Sequence, residues 1–333
     1  MATRAKKLNL YLRFDSGGWD GLGHAQRSME LARELKKKFN VILCTNIITK
    51  KLINIKNFNY FFKKKNEKEE SYLLRISKKY KDNLLFIDKN YNYSKHFLKL
   101  LNTKYQKIFF YQNFCQGIQE ENIIINPTPN LNSSIGLRKK FRKNKIYNGN
   151  KYLIVPKSPV SKKKNYLGIS LGASDPKNIS IKLLRFLVKI NWKFSTYLFI
   201  GAFSNIEKKI KKLNLPKNIK ISKFNKQKFQ NSRLAICSPG ITAFELLTKN
   251  VFALYISHSK THFNLGNYIE KKYKFSKNLN IFNNVNIDNF SNYLYYYWHN
   301  KKKITSKLPK KKIIFNNSCK RVLEIINYET NKK

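Results

Sequence analysis

The sequence has no long apolar run, few acidic residues and only scattered cysteines, and each absence excludes a class of protein. Its longest apolar runs, such as residues 293–298, are much shorter than the roughly 20 residues that span a bilayer, so no transmembrane helix is predicted. Residues 1–10 lack the apolar core of a secretory signal, which predicts a cytoplasmic location. The four cysteines stand singly, without the spacing of a disulfide framework or a zinc site.

The charge is strongly unbalanced, because 68 Lys and Arg face 18 Asp and Glu and give a formal net charge of +50. Such a charge attracts polyanions in general. The lysines are spread among Asn and Ile along the whole chain, a distribution typical of AT-rich coding sequences. No nucleic-acid-binding motif is present, so no specific nucleic-acid partner is predicted. Peripheral contact with an anionic membrane, at its inner face, is an open alternative use of the charge.

Strands and helices alternate along the chain, which predicts an α/β fold with parallel sheets. An apolar run at 9–14 is followed by a glycine-rich loop and then by a helix over 24–39, whose apolar residues recur at steps of three and four. Further strands are predicted at 41–44, 58–62, 84–87, 108–111 and 123–125, with helices over 69–80 and 93–102. The length of 333 residues suits two such units of roughly 150 residues each.

A domain boundary is predicted between residues 126 and 164, where the apolar pattern fades and prolines interrupt a lysine-rich stretch. The predicted domains are residues 1–150 and 151–333. In the second domain, strands are predicted at 166–171, 194–200, 234–237 and 252–256, with helices over 178–190 and 242–249. Terminal helices over 284–300 and 314–327 are assigned to this second domain as well.

The first motif with chemical meaning lies where the first strand passes into the first helix. Gly21 and Gly23 stand directly before His24. Glycines let the backbone approach a ligand closely, and the free N–H groups of a helix start favour an anion. The same helix start disfavours imidazolium, so a neutral His24 can accept a proton from water or a sugar hydroxyl. The alternative is an ordinary helix start without chemistry.

Two later strand-to-helix turns also carry small and polar residues. In the first, Asp175 can cap the helix that follows, which by itself explains its presence. The second, residues 238–242, leaves room for a diphosphate at the helix start, and Glu245 can accept hydrogen bonds from ribose hydroxyls. A plain capped helix is again the alternative. In open α/β sheets ligands bind at the carboxyl ends of strands, where these turns lie.

Polar residues also follow the next predicted strand, and these could contact a sugar: His258, Thr261, His262 and Asn264. The two histidines are four residues apart, a spacing that suits a metal ion on a helix. No third ligand is evident in the sequence. No metal and no other cofactor is therefore predicted, and the sequence makes no prediction of the oligomeric state.

Taken in this order, the three turns resemble the family of UDP-2,4-diacetamido-2,4,6-trideoxy-altropyranose hydrolases of pseudaminic acid synthesis. That family is itself similar to the MurG-like glycosyltransferases of GT-B fold. Its opening signature is matched by Arg13, Asp15, Gly21, Gly23, His24 and Arg27. Its later elements are matched by residues 172–178 and by residues 238–242 with Glu245. The resemblance spans residues 9–275.

The resemblance implies two Rossmann-like domains that face each other across a cleft, with a UDP-sugar as the substrate. It implies that His24 activates water at the anomeric carbon, that Asp15 orients the site, and that UDP lies against the second domain. The products would be UDP and a free amino-sugar. The substrate- or nucleotide-binding residues predicted from the resemblance and the motifs are Arg13, Gly21, Gly23, Arg27, Gly172, Ser174, Asp175, Ser238, Gly240, Thr242, Glu245 and Asn264.

Several positions depart from the family's pattern. Asp88-Lys89-Asn90 stands where the family has Asp-His-Tyr, Ala173 and Pro239 replace usual glycines, and His262 stands near a usual glutamine. These departures permit a different sugar or a transferase. The sequence therefore predicts hydrolysis of a UDP-amino-sugar, with a MurG-like transfer to a surface-glycan or lipid-linked acceptor as the alternative.

Overall fold

A computed structural model describes residues 7–17, 21–77, 82–128, 141–157, 162–300, 315 and 317–332. The chain divides into two compact units. The first comprises Met1–Pro156 together with Phe315–Lys333, and the second comprises Lys157–Ile314. Each unit contains one parallel sheet with helices, which confirms the predicted α/β class.

The first unit is built on a parallel sheet. Its strands are β1 (Asn9–Arg13), β2 (Asn40–Asn46), β3 (Asn59–Lys63), β4 (Asn83–Ile87), β5 (Lys107–Tyr111), β6 (Ile123–Asn126) and β7 (Lys145–Asn148). Among the described residues the strand order is β3-β2-β1-β4-β5-β6-β7. The helices of this unit are α1 (Gly23–Leu35), α2 (Ile47–Leu52), α3 (Glu69–Ser77), α4 (Lys95–Asn102) and α11 (Ser318–Asn331).

Alternating side chains of the central strands pack on opposite faces of this sheet. Leu10 and Leu12 of β1 join the core cluster that contains the apolar residues of α1 and α11. Tyr11, between them, joins a second cluster with apolar residues of α3 and α4. Because both faces are covered, the central strands are apolar over most of their length, as expected of a parallel sheet. This burial on both faces is the reason that these strands can be predicted from apolar runs in the sequence.

The second unit repeats the same plan. Its strands are β8 (Lys164–Ser170), β9 (Thr196–Ile200), β10 (Ile219–Lys223), β11 (Ser232–Cys237), β12 (Phe252–Ser257) and β13 (Ser276–Ile281). Its helices are α5 (Ile179–Lys189), α6 (Glu207–Ile210), α7 (Lys226–Gln230), α8 (Ile241–Thr248), α9 (Lys260–Tyr273) and α10 (Ile287–His299). Within the described part of this unit the strands are parallel and follow the order β10-β9-β8-β11-β12-β13.

The structure contains strands β7, β10 and β13, which the sequence pattern did not predict. All three lie at an edge of their sheet. Their side chains are mostly exposed or only partly buried, and their sequences mix Lys, Asn or Ser with apolar residues. An edge strand contacts the core on less of its surface, so its apolar signal is weak. Helix α9 was also not predicted, and its sequence is rich in Lys and Asn.

The placement of the last helix, α11, corrects the predicted domain division. The sequence assigned every residue from 151 onward to the second domain, but α11 belongs to the first unit. Val322 and Ile326 are fully buried in the core cluster that also contains Leu10 and Met29. Glu329 adds an ion pair, because its Oε1 lies 2.6 Å from Nζ of Lys145.

We expect Ile326→Ala to destabilise the first unit by about 2–5 kcal/mol, because a fully buried side chain would be replaced by a cavity. Chemical denaturation followed by circular dichroism measures this loss. Asn327→Ala is the matched control, since Asn327 is exposed on the same helix. Equal free energies of unfolding for the two variants would contradict the packing of α11 described above.

Candidate functional site

Both sheets reverse their chain order at one point. In the first unit the chain leaves β1 towards β2 and β3, and then crosses back to β4 on the other side of β1. In the second unit the same reversal separates β8 from β11. Ligands of open α/β sheets bind outside the carboxyl ends of the strands at such points. The segments that follow β1, β4, β8 and β11 are therefore the candidate positions for a ligand-binding site.

Two glycines of the segment after β1, Gly17 and Gly21, are joined by a backbone hydrogen bond. The N–H of Gly17 donates to the carbonyl of Gly21 over 2.9 Å, and Gly21 has a φ of +59°, which favours glycine. Helix α1 then begins at Gly23, and no side-chain hydrogen bond caps its start. The first N–H groups of α1 are therefore not satisfied by a cap, as an anion-binding helix start requires.

His24 lies in the first turn of α1 and contacts Asp88, which directly follows β4. The distance from Nδ1 of His24 to Oδ1 of Asp88 is 2.8 Å, and the Asp88 carbonyl oxygen lies 3.1 Å from the same nitrogen. Nη2 of Arg27 also lies 3.0 Å from Nδ1, but this donor lies closer to Oδ1 of Asp88 and is engaged there. The two acceptors beside Nδ1 therefore favour a proton on that nitrogen. We therefore assign the tautomer in which Nδ1–H donates to Asp88 and the Nε2 lone pair is free. Among the described residues, Nε2 has no hydrogen-bond partner.

Asp88 is itself held by Arg27 and Ser28. Oδ2 accepts hydrogen bonds from Nε of Arg27 at 2.7 Å and from Oγ of Ser28 at 2.9 Å, while Oδ1 also accepts from Nη2 of Arg27. Burial alone would raise the pKa of Asp88, but the charge of Arg27 and the contacts with His24 hold it well below its usual range. Asp88 is therefore a carboxylate that orients the His24 ring.

The contacts of Arg27 are internal. Besides Asp88, its Nη1 donates to Oε1 of Gln112 at 2.9 Å, and its guanidinium lies 5.0 Å from the ring centre of Tyr111. Arg27 is 8% exposed, so most of it is closed to a ligand. These contacts support a positioning role for Arg27, and its predicted contact with substrate stays a prediction.

The side chain of Arg13 is 0% exposed, and its predicted contact with substrate stays a prediction. Its Nε and Nη2 donate to Glu69 over 2.6 and 2.5 Å, and Nη1 and Nη2 donate to Asp15, each over 2.6 Å. Nη1 also donates to the carbonyl oxygens of Phe14 and Cys44. Burial opposes the charge, yet both carboxylates raise the pKa of Arg13 well above its ordinary value. Arg13 fixes the carboxyl end of β1 and has no N–H left for a ligand.

Asp15 belongs to the same internal network and not to the His24 contacts. Its Oδ2 accepts from Arg13 and from Nζ of Lys89, which lies 2.7 Å away. Burial raises the pKa of Asp15, but Arg13 and Lys89 lower it by more. Among the described residues it is Asp88, and not Asp15, that contacts His24. These contacts give Asp15 a structural role, and its predicted catalytic role stays a prediction.

Asp88 is the residue that reasoning from sequence missed. It was noted only as the first residue of Asp88-Lys89-Asn90, because the family pattern has a tyrosine two positions later. A signal was present, since Asp88 ends a buried strand and carboxyl ends of adjacent parallel strands meet at one edge. Knowing that β4 pairs with β1 would have placed Asp88 beside the His24 turn.

In the second unit, the turn after β8 is closely packed and partly explained by capping. Oδ1 and Oδ2 of Asp175 accept from the N–H groups of Ile179 and Ser180 at 2.9 and 3.0 Å, which confirms the capping interpretation. Gly172 has a φ of +90°, and a Cβ at Gly201 would lie 2.3 Å from the Gly172 carbonyl oxygen. The turns after β8 and β9 thus pack backbone against backbone. Contact of Gly172, Ser174 and Asp175 with a ligand stays a prediction.

The turn after β11 leads directly into α8. Ser238, Gly240 and Thr242 are partly exposed, and α8 has no side-chain hydrogen bond at its start. Glu245 is 3% exposed, and its Oε1 forms an ion pair with Nζ of Lys226 over 2.6 Å. Burial raises the pKa of Glu245, and Lys226 opposes that rise. The predicted ribose contact of Glu245 stays a prediction, and the sequence did not link Lys226 to it.

The segment after β12 brings two histidines together beside the α8 turn. The ring centroids of His258 and His262 lie 4.0 Å apart, and Nδ1 of His258 lies 3.4 Å from Oγ of Ser238. Asn264 is exposed on α9, and its predicted sugar contact stays a prediction. No group of three metal-binding side chains occurs in the described ranges. Nor does any helix in these ranges have the length and apolar character needed to cross a bilayer.

Comparison with known proteins identifies the fold. No protein-family model matches the chain. A curated relative, an uncharacterized protein of Methanocaldococcus jannaschii, is 27% identical over 252 residues, which are 68% of this chain and 51% of the relative. This chain thus spans about half the length of that relative. Membership of the hydrolase family suggested by the sequence motifs stays a prediction.

Solved structures match nearly the whole chain. Acinetobacter baumannii MurG gives a TM-score of 0.63 at 16% identity and covers 96% of this chain and 99% of its own. Medicago truncatula UGT71G1, solved with UDP-glucose, gives 0.61 at 11% identity, and calicheamicin glycosyltransferase CalG4 gives 0.60 at 9%. These two cover 98% of this chain and 99% of their own. At these identities the likeness concerns the fold alone. The chain has the GT-B fold, with two parallel-sheet α/β domains.

The Asp88 contacts predict a pH-dependent contribution to stability. We expect Asp88→Asn to lower the free energy of unfolding by about 3–5 kcal/mol at pH 7, because the buried Arg27 charge loses its partner. The folded-state pKa of Asp88 is depressed, so this contribution is complete above the unfolded-state pKa of roughly 3.9 and is lost as the pH falls further. Urea denaturation at pH 7 and pH 3 measures it.

The control for this experiment is Asp82→Asn, at an exposed position in the same unit. The difference between wild type and Asp88→Asn should shrink towards pH 3, whereas Asp82→Asn should differ little at either pH. An Asp88→Asn deficit that stayed constant with pH would show that the carboxylate charge is not what stabilises the site.

Proposed function

We propose that this chain is an enzyme that breaks the anomeric C–O bond of a UDP-sugar and transfers the sugar to an acceptor hydroxyl. One observation carries the proposal: His24 lies at an uncapped helix start, with Nδ1 fixed by the Asp88 carboxylate and Nε2 unengaged among the described residues. An imidazole oriented in this way is the arrangement that general-base catalysis requires.

The chemistry that follows is a displacement at the anomeric carbon. Nε2 of His24 takes the proton of the attacking hydroxyl, while the hydroxyl oxygen forms a bond to the anomeric carbon. The bond from that carbon to the diphosphate oxygen breaks, and its electron pair leaves with UDP. The imidazolium that forms is stabilised by the Asp88 carboxylate, which stays ionised because Arg27 and Ser28 bind it.

We assign the nucleotide to the second unit. The turns after β8 and β11 lie at the carboxyl ends of neighbouring strands, on either side of the reversal in chain order. Helix α8 offers N–H groups without a side-chain cap, and Ser238 and Thr242 can add hydroxyl donors. Glu245 and Lys226 form the adjacent charged pair. A UDP-sugar is supported by Medicago truncatula UGT71G1, a similar fold solved with UDP-glucose.

Hydrolysis is the second candidate, because six residues between Arg13 and Arg27 occur in the order and at the spacing of the hydrolase signature. Transfer is favoured because the solved structures with this fold include a calicheamicin glycosyltransferase. In addition, four positions of that signature now have explanations other than substrate contact. Arg13, Asp15 and Arg27 are held in internal networks, and Gly21 needs its positive φ.

Release of UDP with and without an acceptor separates the two reactions. We expect UDP to be released from a UDP-sugar only when a hydroxyl acceptor is present, and the acceptor to gain the mass of the sugar. Coupled detection of UDP with mass spectrometry measures both products. Release at the same rate in water alone, with a free sugar as product, would establish hydrolysis instead.

His24→Ala should abolish turnover, with kcat lowered by about 10²–10⁴-fold through loss of the base. UDP affinity should stay within about twofold of wild type, because the nucleotide is assigned to the other unit. Steady-state kinetics and calorimetric titration with UDP measure the two quantities. His96→Gln is the matched control, since His96 is exposed on α4 and should leave both unchanged. A large loss of UDP affinity in His24→Ala would refute this division of roles.

A further inference from the structure

A pair of contacting imidazole rings lies in the second unit, apart from the proposed base. His258 directly follows β12, and His262 lies in the first turn of α9. Their ring centroids are 4.0 Å apart with an interplanar angle of 42°, and both residues are partly buried. Among the described residues they form the one close pair of histidine rings. The two histidines are four residues apart in the chain, and α9 begins between them at Lys260.

Each ring is anchored through its Nδ1 atom. Nδ1 of His258 lies 3.4 Å from Oγ of Ser238, and Nδ1 of His262 lies 2.8 Å from Oγ of Ser259. Ser259 also caps α9 by accepting from the His262 N–H. The Nε2 atoms of both rings make no hydrogen bond within the described part of the chain. The pair is therefore held in place with one ring nitrogen of each histidine unengaged.

Three loops converge on this pair. Ser238 belongs to the turn before α8, which is the turn assigned above to the diphosphate. Lys177 and Asp175, from the turn after β8, act electrostatically on His258. Oδ1 and Oδ2 of Asp175 accept from helix N–H groups, so this carboxylate is already engaged. The surroundings thus combine one lysine, a serine hydroxyl and two imidazoles at the carboxyl ends of β8, β11 and β12.

Both rings are uncharged at neutral pH in the free protein. Burial lowers the pKa of His258, and the charge of Lys177 lowers it further, against a smaller rise caused by Asp175. Burial lowers the pKa of His262 to about 4, and His258 contributes to that fall. Without a ligand, the pair holds no net charge.

We propose that the His258–His262 pair binds the diphosphate of the nucleotide and takes up a proton from solvent as it does so. This inference rests on the proposed function, since it names residues for the same nucleotide site. A diphosphate beside Nε2 favours the imidazolium form, which partial burial of the rings disfavours in the free protein. Repulsion between two imidazolium rings 4.0 Å apart keeps the second ring neutral. Uptake should therefore approach one proton and not two.

The sign of the pH dependence follows from linkage. A ligand that raises the pKa of a histidine binds more tightly as the pH falls through the bound-state pKa towards the free-state pKa. Between those two values the affinity changes by up to about tenfold per pH unit for one proton. Above the bound-state pKa the histidine is neutral in both the free and the bound protein, and the contribution of this pair to the affinity no longer changes with pH.

Isothermal titration with UDP tests the proposal directly. At one pH near 6.5, binding is measured in two buffers with different enthalpies of ionisation, and the difference in observed enthalpy gives the number of protons taken up. The wild type is compared with the double variant His258→Asn, His262→Gln. Because the terminal phosphate of UDP titrates in the same range, only the difference between the two proteins is attributed to the pair. We expect that difference to approach one proton, with a weaker pH dependence of Kd in the variant.

His96→Gln should match the wild type, and circular dichroism checks that the double variant is folded. If it is not folded, the single variant His262→Gln takes its place in the same titrations. Equal proton uptake in wild type and variant would overturn this inference and leave the proposed function standing. Absence of UDP binding to the wild type at every pH would overturn both.

Discussion

The carboxylate of Asp88 is the group on which the organisation of the candidate site depends. It is buried at the end of β4, and it accepts hydrogen bonds from Arg27, Ser28 and His24. A buried carboxylate without partners would be costly, but Arg27 neutralises the charge and Ser28 satisfies a further lone pair. These three donors lie at steps of three and four along α1, so one face of the helix meets a single carboxylate. The same carboxylate, neutralised by Arg27, orients the ring of His24 through its hydrogen bond with Nδ1.

A second network, around Arg13, lies beside the first and shows what the sequence signature encodes. Arg13 is enclosed by Asp15 and Glu69, and Lys89 connects this network to the segment that carries Asp88. The charges are balanced, which is the condition under which several ions stay buried together. Most positions of the signature therefore build a scaffold at the carboxyl ends of β1 and β4. Among these positions, His24 differs because its Nε2 atom has no hydrogen-bond partner within the described residues.

The periodicity of the sequence predicts which segments are buried, but it does not predict which segments contact each other. Central strands such as β4 and β11 were predicted because both of their faces are covered, and Asp175 was predicted as a cap because capping is decided within a few residues. The placement of α11 and the contact of His24 with Asp88 could not be predicted in this way. They join segments far apart in the chain, and no local pattern records which partner a buried face or a carboxylate meets. The edge strands β7, β10 and β13 were not predicted for a related reason, since partial burial leaves polar residues on them, whereas the edge strand β3 has enough apolar residues to be predicted.

The fold is shared with proteins of 9–16% identity, so the chemistry must be decided by residues and not by architecture. In the second unit, Pro239 occupies the turn before α8, and a proline offers no N–H to a phosphate. The anchored pair His258 and His262 lies next to that turn, through Ser238. Side-chain nitrogens can thus supply the polar contacts that the backbone lacks there. A backbone N–H donates a hydrogen bond at every pH, whereas the charge of an imidazole changes with pH. Imidazole contacts in place of a backbone N–H would therefore make the nucleotide affinity depend on pH.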